Sequence, residues 1–169
     1  MGMDALLDWV RGLRPETAVL VLAVLPVVEL RGAIPAGMLL GMNPWAAWGL
    51  ALLGSSLPVP LVLWLGRPVA RALKAVPGLR RIVARGRAWA VGRARGGGRM
   101  LERWGLLGLA LFVAVPLPTT GAWTGALVAA LLGVRPWPAF FAIAAGSAAA
   151  GLAVMLLTWL GVWTFERWP

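Results

Sequence analysis

Beyond Thr17 the chain alternates charge-free apolar runs with short punctuations of proline, glycine and charge, and the run lengths set the architecture. Residues 44–66, PWAAWGLALLGSSLPVPLVLWLG, hold 23 residues without a charge. As helix at ~1.5 Å per residue they reach ~34 Å, enough for a bilayer core of ~30 Å. Residues 137–165 give 29 charge-free residues, length to spare, which predicts a tilt or a bend near Gly146 and Gly151. Both runs are predicted to be transmembrane helices.

Two further apolar segments are too short to cross in one piece. Residues 17–28 reach ~18 Å as helix before meeting Glu29-Leu30-Arg31, about mid-membrane. Just beyond, Pro35 lacks the amide that would bond the carbonyl of Arg31 and disfavours helical geometry at Ile34, with Gly32 and Gly37 softening the same stretch. The helix is expected to break there. Glu29 and Arg31 point to opposite sides of a continuous helix, whereas unwound backbone could turn both into one cavity. In 105–133, GLLGLALFVAV reaches only ~16 Å before Pro116-Leu117-Pro118-Thr119-Thr120-Gly121, and a second half-helix follows over Ala122–Gly133. Broken backbone at membrane depth is tolerated only where protein or a water-filled cavity surrounds it, so 17–42 and 105–133 are expected to be re-entrant helical hairpins. The competing reading is two full spans kinked by proline.

Sliding the chain by 92 residues brings Pro26 onto Pro118, Leu39-Leu40-Gly41 onto Leu131-Leu132-Gly133 and Pro44-Trp45 onto Pro136-Trp137. Ala47 then falls on Ala139 and Gly54-Ser55 on Gly146-Ser147, nine identities in the 31 aligned positions from 26 to 56. If each repeat is a hairpin plus one crossing, the first ends on the face opposite its start and the second is inverted. The expected fold is therefore an all-α integral membrane protein of two inverted repeats, 17–66 and 104–169, each a re-entrant hairpin plus a transmembrane helix. Inverted repeats commonly build transporters, with discontinuous helices meeting near the midplane.

Composition supports this picture: 60% of the 169 residues are hydrophobic and 13% charged, with a mean hydropathy of +0.83, well beyond an ordinary soluble domain. The chain has no Cys and no His, which excludes disulfides, thiol nucleophiles, zinc clusters and a His general base. Of the six carboxylates only Glu29 lies within an apolar stretch, so neither an enzyme nor a metal or other cofactor site is expected.

Charge is concentrated in one place. Residues 67–103 carry eleven of the 16 basic residues and one acid, Glu102, which makes this stretch a basic amphipathic linker, placed in the cytoplasm by the positive-inside rule. The termini then face outward. Leu79, Ile82, Val83 and Trp89 fall near helical spacing among Arg80, Arg81, Arg85 and Arg87, the pattern of a helix lying on anionic headgroups. The alternative is that the charges only fix topology; nucleic-acid binding is not expected. At the N-terminus, Leu6, Trp9, Val10 and Leu13 suit a short interfacial helix over 1–16, or equally a frayed end.

The candidate chemistry lies at the two hairpin tips. An ionisable residue at membrane depth costs ~2.5–3.5 kcal/mol, so Glu29 and Arg31 are the first candidates for a proton or substrate path; the plainer reading is a pair that neutralises itself and closes the tips. Gly32 and Pro35 shape the first tip; Pro116, Pro118, Thr119, Thr120, Gly121 and Thr124 supply the second with broken backbone and hydroxyls, which could instead satisfy helix ends. Most tryptophans, Trp45, Trp64 and Trp137 among them, sit at segment ends as interfacial belts, whereas Trp123 sits beside the second tip, for packing or for cation–π contact. Gly37-x-x-x-Gly41 and Gly121-x-x-x-Gly125 are expected to allow close helix approach.

The stretches ELRGAIPAGMLLGMNPW at 29–45 and PLPTTGAWTGALVAALLGV at 116–134 resemble the two signature segments of the small multidrug export protein family, and the likeness extends over about residues 17–160. That family is similar, more remotely, to the DedA/VTT membrane proteins. The resemblance implies paired re-entrant hairpins and either proton-coupled transport or lipid flipping. Glu29 matches the acidic residue of the first hairpin, and Pro116 and Pro118 the proline-rich tip of the second. Thr119 stands where glycine is expected, and the DedA arginines of the second hairpin have no counterpart, because no basic residue lies between Arg103 and Arg135. Three functions follow: a proton-linked exporter of small amphiphilic or cationic compounds in the plasma membrane, a DedA-like lipid flippase or scramblase, and a non-transporting scaffold. Two crossings and two hairpins are thin for a sealed pathway, which suggests a homodimer.

Overall fold

The computed structural model describes residues 14–75, 105–115 and 121–165, and these are helical with short connections. Residues 1–13, most of the basic linker with Arg80, Arg81, Arg85 and Arg87, and the tip residues Pro116, Pro118, Thr119 and Thr120 lie outside the described residues.

The first apolar segment forms α1 (Pro15–Val24) and α2 (Glu29–Leu39). The break falls at 25–28 and not at Gly32–Pro35 as the sequence suggested. Pro26 is the cause: its ring pushes the preceding Leu25 out of helical geometry, to φ −69° and ψ 130°, and α1 ends there. Pro35 is instead absorbed inside α2, where it gives up one helical hydrogen bond. The two helices fold back on one another, so that a Cβ on Gly37, late in α2, would lie 2.7 Å from Val19 Cγ2, early in α1. Val19, Ala23, Leu30, Ala33, Ile34 and Ala51 bury one another as the core of this hairpin.

The 44–66 run is also two helices, α3 (Pro44–Ser56) and α4 (Pro58–Ala75), meeting at Leu57. Pro58 and Pro60 bring no amide to the carbonyls of Gly54 and Ser56, which opens the ladder at that point. Helix α4 runs on to Ala75, so the first residues of the expected linker continue the helix.

The second short apolar segment is likewise two helices. Helix α5 (Leu106–Ala114) stops at Val115, φ −70° and ψ 118°, ahead of Pro116, and α6 (Ala122–Leu132) follows. The ends of α1 and α5 are thus 90 residues apart, which sets Pro26 against Pro116 and not Pro118. From the end of the hairpin onward the offset is 92: Gly41 and Gly133 adopt φ 82° and 83°. Met42 N–H donates to Gly37 O at 3.0 Å, and Val134 N–H to Ala129 O at 3.0 Å. Both are the same glycine closure of a helix C-terminus. Gly41 therefore serves this turn and not close approach, since nothing lies within 4 Å of a Cβ there. Pro44 and Pro136 then open α3 and α7 (Pro136–Phe165), at the position where a missing amide is harmless. Helix α7 continues unbroken through Gly146 and Gly151.

Contacts divide the chain into two units, Met1–Ser55 with Ala150–Pro169, and Ser56–Ala149. Each contains one hairpin, part of the long helix that follows it and part of the other long helix. In the first, the Cβ position of Gly151 lies 2.9 Å from Trp48 Cδ1 and 3.2 Å from Leu30 Cδ1. In the second, Val59, Leu63, Leu109, Val113, Ala126 and Ile143 form the core, and Gly66 lets α4 approach Ala130 on α6. Large apolar side chains remain exposed along the outside, including Leu53, Leu57, Leu61 and Trp64 on α3 and α4. Two stretches, Pro44–Gly66 of 23 residues and Pro136–Gly161 of 26, are long and apolar enough to cross a membrane.

Candidate functional site: the start of each second half-helix

Glu29 opens α2 and is only 6% exposed. Its backbone is left-handed, φ 51°, and among the described residues no other non-glycine residue has a positive φ. Such a conformation in a residue with a side chain is strained, and strain of this kind collects at sites that need it. Backbone hydrogen bonds flank it: Glu29 N–H donates to Leu25 O at 2.9 Å and Gly32 N–H to Val28 O at 3.1 Å. A Cβ at Gly32 would meet Val28 Cγ1 at 2.5 Å, so a larger residue here would have to displace the Val28 side chain. A carboxylate at the first position of a helix also lies at the positive end of its dipole. Arg31 and Pro35 are half-buried on the same helix.

In the second unit, Gly121 caps α6 with no side-chain hydrogen bond to the helix, and Gly125 N–H donates to its carbonyl at 2.8 Å. Gly121 is buried, while Trp123 and Thr124 in the first turn are half-buried. Helix α6 packs closely through Gly125, whose Cβ would sit 2.7 Å from Val113 Cγ2 and 3.4 Å from Ile143 Cγ1. Thus Glu29, Arg31, Gly32 and Pro35 gather in one hairpin, and Gly121, Trp123 and Thr124 in the other.

Two buried serines, Ser55 and Ser147, were not among the candidates read from the sequence. They lie at 0% and 1% exposure, one on each long helix, 92 residues apart. Ser55 Oγ donates to Leu52 O at 3.2 Å. Ser147 Oγ has no hydrogen-bond partner among the described residues. The only advance sign was the recurrence of Gly-Ser at the same place in each repeat. Among the described residues no cluster of acidic side chains could hold a metal ion.

Residues 29–153 fit the family described as "Putative small multi-drug export protein". No curated protein and no solved structure matches the chain. The matched stretch begins at Glu29, runs through both second half-helices and ends within α7. The chain is thus a membrane protein that belongs to this small multidrug export family, whose description is of export.

Proposed function

We propose that this chain is a proton-linked exporter of small amphiphilic or cationic compounds, in which Glu29 takes up and releases the proton. The observation that carries the reading is the state of Glu29: a buried carboxyl on strained backbone at the start of a half-helix. A protein retains such a group in an apolar segment where it has a use. Arg31, one residue beyond Leu30, supplies the charge that Glu29 exchanges with as it titrates, and Trp123, Thr124 and Gly121 offer ring, hydroxyl and amides to the cargo.

The fold-back of α1 on α2 supports the re-entrant reading, because it returns the chain to the level from which it entered. Helices of 10 and 11 residues reach only ~15–17 Å, half of a bilayer core. The pairing of Trp64 with Trp137 supports inverted repeats: the end of the first crossing and the start of the second share one level. In this topology the linker 67–103 is cytoplasmic in the plasma membrane, and Arg80, Arg81, Arg85 and Arg87 rest on anionic headgroups.

The test is dissipation of a pH gradient in proteoliposomes on addition of an amphiphile, with fluorescent-lipid scrambling followed in the same vesicles. Amphiphile-dependent proton flux that disappears in Glu29→Gln is the expected result. Equal flux in wild type and variant would remove Glu29 from the mechanism. Lipid movement without a gradient would replace export by scrambling.

A further inference from the structure

Four aromatic rings gather near the start of α7, all within the unit Ser56–Ala149: Trp64 from α4, and Trp137, Phe140 and Phe141 from α7 itself. Between centroids, Trp137 meets Trp64 at 5.8 Å and 83° and Phe140 at 6.4 Å and 84°. Phe141, one helical turn along, lies 6.5 Å from Trp137 and nearly parallel to it, at 28°. Phe140 and Phe141 meet edge to face at 5.5 Å. Edge-to-face contact is an arrangement that ring quadrupoles favour, so the rings hold one another in place. Trp64, Trp137 and Phe141 nonetheless remain 56%, 60% and 64% exposed, which leaves part of a ring face open on each. Arg135, also exposed, stands two residues before Trp137. A shift of 92 residues sets Asn43, Trp45, Trp48 and Gly49 at the places of Arg135, Trp137, Phe140 and Phe141. There only Trp45 and Trp48 pair, a glycine replaces the parallel ring, and Asn43 Oδ1 accepts from Trp45 N–H. An interfacial belt asks for no more than those tryptophans. Phe141 and Arg135 go beyond a belt.

From this cluster we infer a binding site for the headgroup of a zwitterionic phospholipid, with its ammonium against the open faces of Trp64, Trp137 and Phe141 and its phosphate on the Arg135 guanidinium. The inference goes beyond the proposed function and does not depend on Glu29. Charge selects the occupant. Among the described residues of this unit there is no Asp or Glu, so a cation that settles here is met by ring faces and by no carboxylate. A tryptophan face within about 6 Å attracts an ammonium, and quaternary ammonium groups are held in this way. The same lack of acids leaves Arg135 without a carboxylate partner in the unit, and a guanidinium matches the oxygens of a phosphate. A purely cationic ligand would be repelled by Arg135 and a purely anionic one would gain nothing from the rings. A zwitterionic headgroup carries both charges two carbons apart, as the neighbouring rings and arginine require. Its depth fits as well, since Trp137 lies in the first turn of Pro136–Gly161, a stretch long and apolar enough to cross a membrane.

The test is a competition on the purified full chain in dodecyl maltoside micelles. A phosphatidylcholine with a pyrene-labelled acyl chain is the probe, read by energy transfer from tryptophan and displaced by unlabelled lipid. The competitors are phosphatidylcholine and its neutral isostere, in which carbon replaces the headgroup nitrogen; they share size and phosphate and differ in the positive charge. Wild type is expected to favour phosphatidylcholine by about two- to fivefold, the scale of a cation–π contact at an exposed site. Trp137→Leu should bring that ratio to one, and Trp137→Phe should keep it above one. Each ratio is taken within one protein, so a loss of folded chain lowers both competitors alike and does not imitate a loss of preference. Arg135→Gln should weaken both lipids together, by about two- to fivefold, and leave the ratio as it was. A ratio of one in wild type would overturn the proposal and leave the rings as an interfacial belt. Displacement by dodecyltrimethylammonium as strong as by phosphatidylcholine, with no effect of Arg135→Gln, would put a cationic amphiphile in place of the phospholipid. Glu29→Gln should keep the wild-type ratio, so failure of this site and failure of proton coupling are read separately.

Discussion

Trp64 and Trp137 meet edge to face, with ring centroids 5.8 Å apart and planes at 83°. Trp64 lies just ahead of Arg67 at the end of the first apolar run, and Trp137 is the second residue of α7. Both rings are exposed, as suits side chains at the boundary between hydrocarbon and headgroups. Trp45, the second residue of α3, packs at 6.2 Å against Trp48 in the other unit. A double-mutant cycle on Trp64 and Trp137, read by thermal unfolding in micelles, should return a coupling of about 0.5–1.5 kcal/mol, the usual worth of an aromatic pair. Strict additivity would separate the two helix ends.

Close packing of the hairpins on the long helices depends on two glycines 92 residues apart. A Cβ on Gly146 would run into the carbonyl oxygen of Ala110 and lie 2.9 Å from Val113 Cβ, and one on Gly54 would lie 2.7 Å from Ala23 Cβ and 2.8 Å from Leu20 O. Backbone cannot yield as a flexible side chain does. Gly146→Ala and Gly54→Ala should each cost about 1–3 kcal/mol of stability by overpacking. Gly49→Ala has nothing within 4 Å of the new methyl group and should stabilise α3 by up to about 1 kcal/mol. Thermal melts of the three variants would show the opposite signs.

Replacements at Glu29 should separate strain from chemistry. Glycine takes φ 51° without strain, so Glu29→Gly should melt no lower than wild type while losing proton flux. Glu29→Val, β-branched on the same backbone, should lower stability by about 1–3 kcal/mol as well as abolish flux. A Glu29→Val protein as stable as Glu29→Gly would show that the left-handed geometry is not enforced.

The turn into α3 is held by Asn43, whose Oδ1 accepts from Trp45 N–H at 2.9 Å. Asn43→Ala should cost about 0.5–2 kcal/mol, the range for a lost helix cap. Arg135, at the same place in the second repeat, has no such short side-chain acceptor, so Arg135→Ala should be close to neutral by the same melt.

The long helices could be read from the sequence because 23 and 29 residues without a charge admit few other structures. The hairpin ends were legible too, since Gly-x-x-Pro-Trp couples a left-handed glycine to a proline that starts a helix. The break in the first hairpin was misplaced because two prolines competed. Pro26 terminates a helix through Leu25, whereas Pro35 lies in a helix whose packing against α1 absorbs the missing bond. Leu57 was overlooked for a related reason: hydropathy is blind to a one-residue interruption in an otherwise apolar run. Ser147 could not be singled out in advance, because a buried serine without a partner and one bonded to its own helix have the same sequence signature.

The central claim is that 17–42 enters the membrane and returns on the same side. The chain contains no cysteine, so single cysteines at the exposed positions Thr17 and Leu40 can be labelled without background. With a membrane-impermeant maleimide applied to intact cells, Thr17→Cys and Leu40→Cys should both react from outside, while a cysteine replacing Arg85 in the linker reacts only after the membrane is opened. If Thr17→Cys and Leu40→Cys react from opposite sides, the segment crosses the membrane, and the hairpin account with its inverted repeat is wrong.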